Sequence, residues 1–280
     1  MKKFLLVCIA LLSIVSTTGI HADYIYWANY TSGTIGRANA DGSSPQPSWI
    51  SVSSSPVDVV HNDTHIFWGE YTANTIGRAD IDGAGANSSF ITGCANPSYI
   101  AIDSNYIYWC NVTSNWIGRA NLDGTGVNQN FLMVGSNPRD ITVDSAYIYI
   151  ADAGGSIGRA NLDGTGYNQY FMSGLPSSVI GVEVDSSYIY WTQYTSNWVG
   201  RANIDGSNYI PSWISGCSNP YLMALDGTYI YWTNYGNGTI GRANVDGSNV
   251  NQSHMSSLNS PAGVSVRLVP TPVPEAGYIY

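Results

Sequence analysis

The sequence predicts an all-β fold: a six-bladed β-propeller with four antiparallel strands in each blade. Three observations carry that prediction. The first is internal repetition, the sign of a repeat architecture. The phrase YIYWANYTSGTIGRANADG, residues 24–42, returns as YIYWCNVTSNWIGRANLDG at residues 106–124, and alignment on its Trp gives Trp27, Trp68, Trp109, Ile150, Trp191 and Trp232, each 41 residues apart. The second is a pair of anchors inside each unit: a Gly-Arg pair ending at Arg37, Arg78, Arg119, Arg159, Arg201 and Arg242, and an Asp-Gly pair starting at Asp41, Asp82, Asp123, Asp163, Asp205 and Asp246. The third is apolar alternation at period two in short segments rich in aromatic and β-branched residues, bounded by Gly, Asn, Asp and Ser, which reads as strands joined by tight turns.

Taken in order, the chain opens with Lys2 and Lys3, the apolar run Phe4 to Val15 and a small-residue site ending at Ala22. That layout is expected to be a secretory signal peptide over residues 1–22. The apolar run is short for a bilayer span, and no later stretch reaches about 18 apolar residues, so no membrane insertion is expected after export. The propeller is expected over residues 23–269. In its third unit the four strands are expected at Ser98 to Asp103, Tyr106 to Asn111, Trp116 to Asn121 and Asn128 to Val134, with Asp123-Gly124 turning the third strand into the fourth. One such sheet cannot bury both faces, but six packed radially do, leaving short protected edges. Because the chain enters the first unit directly at Tyr24 in a second strand, its innermost strand is missing, and Pro261 to Arg267 is expected to supply it and close the ring. Residues 270–280, the end of VPTPVPEAGYIY, form a Pro-rich tail. Its last three residues echo the strand motif and allow weak self-association by adding to a neighbour's blade edge.

Charge narrows the partners. Beyond residue 22 stand 8 arginines and 19 acidic residues, a net charge of −11, which argues against nucleic acid and against docking on anionic lipid. Cys94, Cys110 and Cys217 are too few and too odd in number for a disulfide framework. Cys94 and Cys217 occupy matching positions in units half a ring apart, which places them across the channel mouth, either as free thiols or as small buried hydrophobes.

The six units resemble the YWTD repeat of the six-bladed propellers in the low-density lipoprotein receptor group, in which a Tyr-Trp-Thr-Asp strand precedes an Ile-x-Arg-Ala-x-x-Asp-Gly stretch. The resemblance runs over roughly residues 24–267 and implies the propeller fold and a bacterial-type secreted relative. It departs at the acid that closes the family motif, here Asn29, Glu70, Asn111, Asp152, Gln193 and Asn234, and no cysteine-rich module flanks the repeats.

Residues demanded in every blade answer a packing problem, so function is sought where the repeats differ. Three residues after the Trp stand Tyr30, Tyr71, Val112, Ala153, Tyr194 and Tyr235, expected on the face where loops surround the axial channel. Two positions before the Gly-Arg pair, Trp116 and Trp198 replace a small hydroxyl residue. The blade between them has Ile150 for Trp, a loop one residue shorter with Gly154-Gly155 at its tip, and Arg139-Asp140 entering its inner strand. These features predict a low notch over the fourth blade, walled by Trp116 and Trp198, with the charged pair on its channel side; the alternative is that the tryptophans cover strand edges. Glu183 replaces small residues on the inner strands, and its carboxyl is expected to be raised in pKa or paired with an arginine.

Enzymatic constellations are thin. His61 and His65, spaced as HNDTH with Asp63, and His254 are better explained as substitutions in aromatic or turn positions than as metal ligands, and the Asn-x-Asp-Gly turns lack the terminal Glu of a calcium loop. No cofactor is expected. The sequence therefore reads as a secreted or periplasmic, non-catalytic propeller that binds a protein or a glycan at its loop-rich face, with a lyase or hydrolase at the channel mouth and a structural surface spacer as the alternatives.

Overall fold

The computed structural model describes residues 24–135, 137–176 and 178–267, and the signal segment and the tail read from the sequence lie outside them. Twenty-four strands form six four-stranded antiparallel sheets. Each sheet is one blade, numbered here by its repeat unit. The inner strands, from blade 1 to blade 6, are Pro261–Arg267, Pro56–His61, Pro97–Ile102, Pro138–Val143, Val179–Val184 and Pro220–Leu225. They pack side by side in that cyclic order around the axis. In blade 3 the remaining strands are Tyr106–Asn111, Trp116–Asn121 and Asn128–Met133, within one residue of the bounds expected from the sequence. The ring closes as expected: Pro261–Arg267 pairs antiparallel with Tyr24–Asn29, with Tyr24 opposite Arg267 and Trp27 opposite Val264.

Each letter of YIYW has a separate task in this frame. The first Tyr and an aromatic of the outer strand sandwich the repeated arginine: the guanidinium carbon of Arg119 lies 4.3 Å from the Tyr106 ring and 3.9 Å from that of Phe131. The Ile is buried between blades. The second Tyr donates its hydroxyl to an Asp at the preceding turn, as from Tyr108 to Asp103 at 2.8 Å, and that Asp also accepts the backbone N–H groups of Asn105 and Tyr106. The Trp lies flat over the Gly of the Gly-Arg pair on the neighbouring strand. A Cβ added to Gly118 would stand 2.1 Å from Trp109 Cε2, so no other residue fits.

In blades 1 and 3 the neutral amide at the family's acidic position holds that indole. Trp109 Nε1 donates to Asn111 Oδ1 at 3.1 Å, and Asn111 Nδ2 donates across to the Gln129 carbonyl of the outer strand at 2.9 Å. Asn29 repeats the arrangement. An Asp would accept from the indole but has no donor for the outer strand, so the substitution exchanges a charge for a second tie.

Blade 4 keeps its geometry without an indole. Ile150 leaves space over Gly158, and the Tyr167 ring from beyond the Asp-Gly turn occupies it, 2.8 Å from where a Gly158 Cβ would stand. Its shortened loop preserves the feature shared by the other five. The residue before the third strand has positive φ in every blade, at Gly33, Asn74, Asn115, Gly155, Asn197 and Gly238, which explains why only Gly and Asn occur there.

Cys94 and Cys217 are buried, but not at the channel mouth. Each follows an outer strand and receives a Gln side chain from the next blade, Gln129 Nε2 at 3.6 Å and Gln252 Nε2 at 3.7 Å, so they sit between blades toward the periphery. Matching repeat positions gave the angular placement correctly but carried no information on distance from the axis.

Candidate functional site

The inner strands all begin at one mouth of the axial channel. Five of the six begin with Pro right behind a turn, and the backbone N–H of the residue three beyond the Trp reaches back to the carbonyl just before the inner strand: Tyr30 to Ser260, Tyr71 to Ser55, Tyr194 to Ser178 and Tyr235 to Asn219. These bonds fix the tyrosines around the mouth. Tyr30, Tyr71 and Tyr235 form the rim of a cavity of about 430 Å³, together with Val112. Tyr194 lies just behind it, its ring edge-on to Tyr221 at 6.1 Å.

The floor of this cup was not legible in the sequence. Tyr99 of blade 3 and Tyr221 of blade 6 reach across the axis from opposite sides, and their hydroxyls meet at 3.0 Å. Burial pushes both phenols above the ordinary tyrosine range; the neighbouring Tyr221 raises Tyr99 further, whereas the bond with Tyr99 works against the rise at Tyr221. Tyr99 stands where the other inner strands carry Asp, Gly or Leu, and Tyr221 where they carry Val, Ser, Arg, Ile or Ala, and that departure was the available signal.

Arg139 and Asn137 form the wall over blade 4. Arg139 has no carboxylate within ion-pair distance, since among the described residues the one salt bridge is His65–Asp80. Its Nε and the Asn137 Oδ1 are both buried without a hydrogen-bond partner. Asp140, although next in sequence, turns away from the cup: its Oδ1 accepts the Ile141 N–H at 2.8 Å and its Oδ2 the Val182 N–H of blade 5 at 2.8 Å. Asp58 ties blade 2 to blade 3 in the same way, through Val59 N and Ile100 N. The expected charged pair is thus split, one member in the cup and the other in the blade-to-blade scaffold.

Below the tyrosine bridge, Asp58, Asp140 and Glu183 line a second cavity of about 200 Å³ within the channel. Burial pushes Asp58 and Glu183 up to about 7, against two backbone donors in the first case and the Thr142 hydroxyl and Val184 N–H in the second. Burial and the nearby Asp58 carry Asp140 well above the carboxylate range. Glu183 has no arginine partner of the kind expected; Thr142 Oγ1 donates to it at 3.0 Å. His61, whose Nδ1 lies 2.7 Å from Ser265 Oγ, joins Glu183 along a further cavity of about 160 Å³ toward the opposite mouth. His65 faces Asp80 at 3.7 Å, and His254 lies 2.9 Å from the Ala40 carbonyl against the Tyr231 ring, so the three histidines do not converge.

Trp116 and Trp198 open the third strands of blades 3 and 5, half-buried, and neither lines the cup. Residues read from the sequence are therefore brought together in one group, Tyr30, Tyr71, Tyr235 and Arg139, with Tyr194 behind them. Trp116, Trp198, Asp140 and Glu183 stand elsewhere.

Solved structures share the fold. A nidogen/laminin complex is similar with a TM-score of 0.72 at 19% identity, covering 88% of this chain and 98% of that one. Virginiamycin B lyase from Staphylococcus aureus is similar with a TM-score of 0.63 at 18% identity, covering 86% of this chain and 84% of that one. A streptogramin B lyase gives 0.64 at 18% identity, with coverages of 86% and 83%. No protein-family model matches the sequence, and no curated protein does. At these identities the likeness shows the propeller fold and leaves activity open.

Proposed function

We propose that the chain is a secreted, non-catalytic binding propeller whose ligand enters the tyrosine-rimmed cup on the loop-rich face. The observation that carries this reading is the cup: a 430 Å³ hollow closed at its floor by Tyr99–Tyr221, with aromatic walls and Arg139 lacking a carboxylate partner. Concave aromatic sites with a few convergent polar groups are where proteins take ligands. A binding role also agrees with the similar propeller solved in a nidogen/laminin complex, while the lyases show that the same fold serves catalysis.

Against a lyase or hydrolase in the cup stands its chemistry. The titratable groups lining it are Arg139 and tyrosines, and the carboxylates and His61 lie on the far side of the tyrosine bridge, out of reach of a ligand at the rim. Proton transfer near neutral pH calls for a group that titrates there.

The test is a glycan and peptide array probed with the full chain, with a Tyr71→Ala, Tyr235→Ala variant and with a Trp116→Ala, Trp198→Ala variant, each matched for melting temperature. Binding lost with the tyrosines and kept without the tryptophans is expected. Binding lost with the tryptophans instead would move the site to the notch over blade 4, and no binding at all would favour a structural spacer.

A further inference from the structure

Arg139 is a cation that the folded chain does not neutralise. Its guanidinium lines the cup, its Nε has no partner, and no carboxylate of the described residues stands within ion-pair reach. The side chain is half-buried: its Nε is shut away without a partner, while the guanidinium it belongs to faces the open cup, where a ligand can reach it. Arginine is the side chain suited to that use, because its planar fork takes a carboxylate through two parallel N–H bonds. Two residues away, Asn137 Oδ1 is an acceptor without a donor on the same wall. Together they ask for a ligand carrying an anionic oxygen pair beside an O–H or N–H donor.

The rest of the cup describes the body of that ligand. Tyr30, Tyr71, Tyr99, Tyr221 and Tyr235 line the cup with aromatic rings that carry hydroxyls, and Ser98 adds another hydroxyl. Alternating apolar faces and polar edges match a sugar ring, whose C–H faces lie against aromatics while its hydroxyls bond at the periphery. A cavity of about 430 Å³ is wide for one extended acidic side chain and admits a substituted ring. The chain's strong negative charge, with 19 acidic residues, disfavours a polyanion, so one carboxylate on an otherwise neutral ligand is the fit.

We infer that the cup recognises a sugar ring bearing a single carboxylate, a terminal uronic-acid unit of a glycan, with Arg139 on the carboxylate and Asn137 on a neighbouring hydroxyl. This rests on the binding function assigned to the cup. Titration calorimetry of the full chain with methyl glucuronide, methyl galacturonide, methyl glucoside and N-acetyl-aspartate methylamide tests it. At least one uronide is expected to bind about tenfold or more tightly than the neutral glucoside, a ratio expected when a charge-assisted pair is lost. Arg139→Gln, with unchanged melting temperature, should bring the uronide down to the glucoside, whereas Tyr71→Ala should weaken both alike.

Equal affinity for glucoside and uronides, or a uronide preference that survives Arg139→Gln, would overturn the inference while leaving the cup as a binding site. Tighter binding of the aspartate amide than of any uronide would overturn it in favour of a protein ligand. Failure of all four compounds to bind would overturn it too, and the array then decides separately whether the cup binds anything.

Discussion

The contact of Trp on Gly is the tightest statement the sequence makes about itself. Five indoles lie on five glycines, with room for no Cβ between them, and the side chain at the motif's acidic position holds the indole N–H of Trp27, Trp68 and Trp109. Gly118→Ala is therefore expected to destabilise the protein by about 1–3 kcal/mol or more, as overpacking does, readable in a urea titration. If the loss were under about 0.5 kcal/mol, the indole would have to swing aside freely, and the packing described for the blades would be wrong. The same close packing shuts away the thiols. Cys110 is fully buried, and burial pushes Cys94 to about 11.

At the level of the strand, the inner strands carry the ties that bind one blade to the next, and these ties come in two kinds. In blades 2 and 4, where the residue after the Trp position is Gly69 or Ala151, an inner-strand Asp spans the gap: Asp58 to Ile100 N and Asp140 to Val182 N. Where that residue is Thr, its hydroxyl does the work, as Thr192 does between Gly181 N and the Tyr221 carbonyl, and Thr233 between Leu222 N and the Ala262 carbonyl. The carboxylate version has a consequence for pH. With Asp58 and Glu183 raised to about 7, the folded chain holds protons that the unfolded chain releases near pH 4. Their contribution to stability is full below about pH 4 and is lost as pH rises through 7. Melting temperature is expected to fall by about 5 °C between pH 5 and pH 8, and Glu183→Gln, which keeps an acceptor for Thr142 but cannot ionise, should remove part of that fall. An unchanged slope in the variant would mean that Glu183 does not titrate in this range.

For the whole molecule, closure decides stability. Each blade packs on two neighbours, and the inner strand of blade 1 comes from the other end of the chain, 237 residues after Tyr24 if counted to Pro261. Removing residues 261–280 uncovers the edge of Tyr24–Asn29 and strips one wall from the tyrosine cup at Ala262. The truncated chain is expected to lose its cooperative thermal transition and to aggregate through the exposed edge. A truncated protein that melts as the full chain does would show that the ring is held without its closing strand.

The repeat period, the four strands of each unit, the closing strand and the tyrosine rim were legible in the sequence because each follows from a local rule applied six times: alternation, turn chemistry and a fixed spacing. Six units of this kind leave few ways to bury their faces. What only the tertiary structure decided is how residues from different blades meet at the axis. That Tyr99 and Tyr221 touch across the channel, that Arg139 faces the cup while Asp140 turns into the scaffold, that Thr142 rather than an arginine partners Glu183, and that Trp116 and Trp198 stand away from the cup all depend on radial distance and side-chain direction. A one-dimensional repeat encodes the angle at which a residue sits around the ring, and neither its depth along the axis nor its distance from it.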